Sequence, residues 1–329
     1  MSQRSKLNPG SHKSAPRELV EHDVQTVNAS FYSAKPREYL QHRVTALLVL
    51  ASRPQEVMQM ASEGLSVGEL KVKSEDPKGD DDSGSLLDDE SRLMFIITEA
   101  EVIMHHVGET LLRLYMAHEE LPACPGWELA KVRTPRDYKT RLRKRFIDSA
   151  SDTHSADVSS VFFGHADVED IQYGKAPPEG TKPDPLNIEK FLRHFASHHL
   201  DNANAYNAAK HGLAVTAGNA SMKLGDGSVL RQDGDAITFL ECVYKTGKQR
   251  QWQKTTTWVR SDVSLAFALI GCRLIEQLWA VARARYLGSP LEKIKLFDTP
   301  QYDALMDEVN KPGIHAMGMS LGLFLPTDA

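Results

Sequence analysis

Residues 92–118 read RLMFIITEAEVIMHHVGETLLRLYMAH. Leu93, Ile96, Ile97, Ala100, Ile103, Met104, Val107, Leu111, Leu114 and Tyr115 recur at three- and four-residue steps, the period of an amphipathic helix. Ser91 stands where an N-cap belongs, and Pro122 and Pro125 close the pattern. So long an apolar stripe needs other helices to cover it.

Those helices are legible on both sides. Residues 37–62 read as helix, broken near Pro54, because proline removes a backbone donor. The basic segment VRTPRDYKTRLRKRF begins a helix behind Thr134-Pro135, a cap and first-turn pair. A helix opened by Asn187 is expected to run to about Val215, with Gly212 at its end or at a bend. Ser261-Asp262 then caps the apolar helix VSLAFALIGCRLIEQLWAVARARYL. Between these last two, short apolar runs are punctuated by Gly-Asp-Gly and Asp-Gly-Asp, which is hairpin chemistry. QWQKTTTWV alternates like another strand, and KIKLF and MGMSLGLFL offer one or two more.

The expected fold is mainly α: a helical bundle with a small antiparallel sheet inserted at about 219–260, before the last long helix. Residues 1–20 read as a flexible tail and 21–329 as a single helical domain. Residues 72–91 carry eight acidic residues among Pro, Gly and Ser, and read as a solvated loop. Residues 166–186 read as a second long loop.

The chain has 329 residues and a net charge of −5, so bulk charge does not advertise nucleic-acid binding, although a local basic patch stays open. Its three cysteines form no CxxC pair, which argues against a zinc ribbon and for a reducing compartment. The first residues hold no apolar signal core, and no apolar run is read as spanning a bilayer. A cytoplasmic protein without a membrane partner is expected.

Two helices carry unusual polar stripes. Glu101, His105, Glu109 and Arg113 lie four residues apart, with His106 beside them. His199, Asn202, Tyr206 and Lys210 form a stripe on the later helix, and Asn204, Asn207 and His211 form its neighbour. Asn and Asp compete with the helix backbone for hydrogen bonds, so three Asn and one Asp within residues 201–207 cost helix propensity. A tertiary polar network would offset that cost. Walker and HExxH signatures are absent, and so are the Glu-x-x-His repeats of di-iron bundles.

The run Asn207-Ala208-Ala209-Lys210-His211-Gly212 resembles the Asn-x-x-x-His-Gly end of the motif in HEPN domains, which are all-α RNA- and nucleotide-binding bundles. Arg113 to His118 (RLYMAH) and Arg193 to His198 (RHFASH) also fit the family's Arg-x-x-x-x-His pattern. In the run that matches best, Tyr206 occupies the arginine position, so Lys210, Arg113 or Arg193 would have to supply that cation.

The resemblance implies an RNA-binding protein, a metal-independent endoribonuclease of defence or toxin type, acting without a cofactor and commonly as a homodimer. Arg113, His198, His211 and Asn207 are then the catalytic candidates: imidazoles move protons, the guanidinium meets phosphate charge and Asn orients them. Glu109, Arg193, His199, Asn204, Tyr206 and Lys210 are the substrate-binding candidates, with Arg141, Arg143 and Lys144 as a local basic patch for the RNA backbone. Two alternatives stand beside this. One is a non-catalytic interaction or dimerisation module. The other is a metal- or small-ligand-binding helical protein drawing on Glu101, His105, His106, Glu109, His198, His199 and Asp201. No metal is expected under the leading reading.

Overall fold

The computed structural model describes residues 20–63, 65–67, 70–72, 89–132, 134–149, 155–165, 184–211, 215–224, 230–244, 250–291, 303–307 and 316–325. The chain runs α1 (Glu21–Tyr32), α2 (Pro36–Ser52), α3 (Pro54–Glu63), a two-stranded ribbon of β1 (Leu65–Val67) and β2 (Leu70–Val72), then α4 (Asp89–His118). After α5 (Pro125–Lys131) and α6 (Pro135–Leu142), a π-helical turn covers Arg143–Ile147, followed by α7 (Ser155–Phe163), α8 (Pro185–Asp201) and α9 (Ala203–His211). Strands β3 (Val215–Leu224), β4 (Leu230–Tyr244) and β5 (Arg250–Trp258) precede α10 (Ser261–Leu287), and β6 (Ala316–Leu325) comes last.

Helix α4 is the axis of the bundle, with α2, α8 and α10 laid against it. Its apolar stripe is buried as its periodicity implies, Ile103, Val107, Leu111 and Tyr115 among the innermost side chains. Close approach at two crossings depends on glycine. A Cβ on Gly108 would come within 2.7 Å of the Phe195 ring, and one on Gly271 within 2.4 Å of Val107 Cγ1. Phe195 of α8 thus fills a slot that glycines on α4 and α10 leave open.

The antiparallel sheet has the order β3-β4-β5-β6, so the inserted meander gains a fourth strand from beyond α10. It meets α4 and α9 through a second apolar cluster of Ile97, Ala217, Ile237 and Phe239. The sheet therefore buttresses the amino-terminal half of α4 and one side of α9.

Several local expectations change. Asp233-Gly234-Asp235 is not a turn: it lies inside β4 opposite Asn219–Ser221, and Gly234 takes a φ of 145° that only glycine tolerates well. The long helix through residue 215 is two helices with a break at Asn202, where helix-averse Asp and Asn fall together, and the chain is already a strand at Val215. Asp184, not Asn187, caps α8, accepting from the Asn187 N–H. Helix α4 starts at Asp89, ahead of Ser91, and α10 starts behind Arg260 with no side-chain cap. Thr134 caps α6 as expected, and Arg53 separates α2 from α3 just before Pro54. Helix α10 is long and apolar enough to cross a membrane, contrary to the reading of the sequence, but about two thirds of its most apolar window (67 %) is buried in the bundle. Of the expected tail over 1–20 and the long loops over 72–91 and 166–186, residues 1–19, 73–88 and 166–183 lie outside the described residues, as do the Gly-Asp-Gly turn and KIKLF, whereas Val72 is in β2 and residues 89–91 and 185–186 are helical.

Candidate functional site

Four-residue spacing on α4 presents Glu101, His105 and Glu109 along one face, and α8 and α9 cross that face. The result is a ring stack at mid-bundle. Tyr206 lies flat on His105 with centroids 3.7 Å apart, and His199 stacks on His105 at 4.1 Å. Tyr138 of α6 meets His199 edge-on at 5.1 Å, and the Arg113 guanidinium sits 4.1 Å over the Tyr138 ring. Arg113 Nε donates to Glu109 Oε1 at 2.8 Å.

Both central imidazoles are neutral. Burial, reinforced by the cost of protonating several imidazoles side by side and by the Lys139 cation, brings His105 down to about 2. Burial brings His199 down to about 4, against the opposing pull of Glu109. Their Nδ1 atoms are buried and have no hydrogen-bond partner. Leaving such a group unsatisfied costs about 1–3 kcal/mol, so two together form a costly and conspicuous feature. Each of His105, Glu109 and His199 offers one ligand atom, and those atoms lie within 4.8 Å of one another.

A second network borders the stack. Arg43 of α2 donates to His106 Nδ1 at 2.7 Å and to Glu99 at 2.8 Å. A guanidinium can only donate, so the proton of neutral His106 must sit on Nε2, from where it reaches the Tyr206 hydroxyl at 2.6 Å. Burial, then the charges of Arg43 and Lys210, lower the His106 pKa. One turn before His105 on the same face of α4, Glu101 accepts from the Ser264 hydroxyl and from His198 Nε2, the latter at 3.2 Å. Burial alone would raise the Glu101 carboxyl, but the bond and charge of His198, with Ser264, hold it below its ordinary value. Serine here is bonded to the carboxylate and not to the imidazole, so this trio lacks the nucleophile–base contact of a hydrolytic triad.

The other candidates separate. Arg113 and His118 do not form one site: His118 is buried, with Nδ1 on the Leu114 carbonyl at 2.6 Å and Nε2 on the Tyr32 hydroxyl at 2.7 Å. Arg193 and His198 have different partners as well. Arg193 binds Glu189, the Phe146 carbonyl and the Ser149 carbonyl, tying α8 to the π-helical turn. Asn204 is bonded to Glu241 of β4 at 2.7 Å, while Asn207 and Lys210 are exposed on α9, Lys210 Nζ lying 5.7 Å over the Tyr206 ring. His211 closes α9, but its side chain lies outside the described residues. Arg141, Arg143 and Lys144 are exposed, and Arg141 lines one small cavity with Arg113, Glu128 and Leu129.

Arg43, Tyr138, Lys139 and Ser264 escaped the reading of the sequence. Ser264 carried a signal as a lone hydroxyl in an apolar helix, whereas Arg43 joins the site only through the α2–α4 contact. Comparison of the chain with protein-family models, curated proteins and solved structures found no match.

Proposed function

We propose that this chain is a HEPN-like RNA-binding protein whose contact face is α9, backed by Arg43 and His106 and extended by the cations of α6 and the π-helical turn. The observation that carries this reading is the setting of His106. It is a half-buried imidazole bonded to Arg43 and Tyr206 and flanked by Lys210, and both cations act to keep it neutral. A phosphate there would meet two cations and a neutral proton carrier, the inventory that RNA binding and metal-free cleavage both use. In the resemblance to HEPN domains, the cation absent at Tyr206 is supplied by Arg43 through His106 and by Lys210 one turn along α9. Arg136, Arg141, Arg143 and Lys144 add exposed positive charge that suits a phosphate backbone.

The test is fluorescence anisotropy of the full chain with labelled single-stranded and hairpin RNA over a salt series, with cleavage followed in EDTA. Lys210→Ala, on an exposed side chain, should weaken binding and flatten its salt dependence. Binding that is absent at low salt, or unchanged by both Lys210→Ala and Arg43→Ala, rejects this reading.

A further inference from the structure

We propose that His105, Glu109 and His199 are the protein ligands of a divalent transition-metal site, with zinc the ion this donor set suits best. His105 and Glu109 stand one turn apart on α4, which turns an imidazole and a carboxylate toward the same neighbour. His199 comes from α8 to meet them. Their ligand atoms lie within 4.8 Å of one another. A tetrahedral zinc ion with bonds of about 2.0–2.1 Å holds its ligands roughly 3.3 Å apart. Closing the set around an ion therefore takes an adjustment of an ångström or so and a turn of the His199 ring out of its stack on His105.

Two further observations point to a ligand and away from polar filling of the core. The first is that the Nδ1 atoms of His105 and His199 are buried without partners, on residues only 3 % and 7 % exposed. A buried ring nitrogen without a hydrogen-bond partner is available to bind a cation once it is deprotonated. The second is that every ligand is held from outside the triad. Tyr206 fixes the free face of His105, the Tyr138 edge fixes His199, and Arg113 takes Glu109 Oε1 so that Oε2 stays available. Metal-binding side chains need such outer support to keep their orientation.

Three protein ligands leave a fourth position for water or a substrate oxygen, as in catalytic zinc sites. The Glu109 side chain, 29 % exposed, marks the side from which that position is reached. This inference does not rest on RNA binding: the site would exist in a chain that binds no nucleic acid.

The test uses the full chain, treated with EDTA and then freed of it. Zinc alone is titrated by calorimetry, and cobalt alone by visible absorption. One equivalent of zinc per chain, a rise in melting temperature with zinc and the intense spectrum of four-coordinate cobalt are expected. Glu109→Gln and His199→Gln should each weaken zinc by more than about 100-fold, and Arg113→Met by about 10–100-fold through loss of outer support. Circular dichroism checks that the variants fold, and Glu109→Gln, on a half-buried side chain, carries the test should His199→Gln fail. No stoichiometric zinc uptake by the wild-type chain overturns the proposal. Uptake that is equal in both ligand variants also overturns it, because the metal then sits elsewhere.

Discussion

The phenol ring of Tyr206 lies parallel to the imidazole of His105, centroids 3.7 Å apart and planes within 8°. The same phenol receives the His106 Nε2 proton at 2.6 Å. One residue of α9 thus holds two adjacent histidines of α4 by different means, a ring face for one and an oxygen for the other. These two roles can be separated. Tyr206→Phe keeps the stack and should cost about 1 kcal/mol for the lost hydrogen bond. Tyr206→Ala removes both and should cost about 2 kcal/mol or more. Urea unfolding of the two variants measures the difference, and equal losses would mean that the stack contributes nothing.

The slot around Phe195 gives a second prediction. Alanine is worth about 1 kcal/mol more than glycine inside a helix, so Gly271→Ala would be stabilising were the site open. The added methyl would lie 2.4 Å from Val107 Cγ1 and 3.2 Å from Phe195 Cζ. Overpacking of this kind costs about 1–3 kcal/mol, and the stiff β-branched Val107 has little room to turn away. Net destabilisation is expected for Gly271→Ala, partly relieved by Val107→Ala in the same chain. A higher melting temperature for Gly271→Ala alone would show that the helices can part at no cost.

These relationships mark where sequence reading reaches its limit. The α4 stripe is plain because ten apolar side chains repeat at helical period, and the strands are plain from their short alternating runs, although Asp233-Gly234-Asp235, read as a turn, lies inside β4. Polar residues on α4, α8 and α9 also announced a shared site, and His105, Glu109, His199 and Tyr206 do meet. What one helix cannot reveal is which residue on another will answer it. Nothing local distinguishes Arg43 at the His106 network from Arg193 at the π-helical turn, since only the crossing of helices assigns their partners. The same holds for the Arg-x-x-x-x-His spacings: five residues along a helix turn two side chains to different faces, and Arg113 and His118, like Arg193 and His198, find separate partners.

Stability should depend on pH through His118. Burial, against the pull of its bond to the Leu114 carbonyl and with help from Arg285, lowers this imidazole from 6.5 to about 4. The unfolded chain therefore takes up the proton more readily than the folded one. The stabilisation is complete above the unfolded value and is lost as pH falls from about 6.5 toward 4. For this one group the loss between pH 7 and pH 5.5 is about 1 kcal/mol. His118→Gln should lower stability at pH 7 and flatten the slope over that window by one proton. A slope that is unchanged in the variant would assign the acid sensitivity to other groups.

The arginines divide into two classes that one pair of measurements can tell apart. Glu189 is 2 % exposed and is bonded to Arg193, whose guanidinium also holds the Phe146 and Ser149 carbonyls. Arg193→Ala leaves that carboxylate buried without its cation, which costs about 3–5 kcal/mol. Replacing both partners by apolar residues, Arg193→Met with Glu189→Leu, should recover much of this, because no buried charge then remains. Arg141, Arg143 and Lys144 are exposed and can be removed at little cost to the fold. If they contact an RNA backbone, the triple alanine variant should reduce the salt slope of binding by about 2, at roughly 0.7 per phosphate contact. Melting curves and anisotropy titrations of both variants provide the contrast. Arg193→Ala should melt early, and the folded fraction should bind RNA with an unchanged salt slope, whereas the triple variant should melt normally and bind weakly. Unchanged binding by the triple variant would restrict any RNA contact to the α9 face around Lys210.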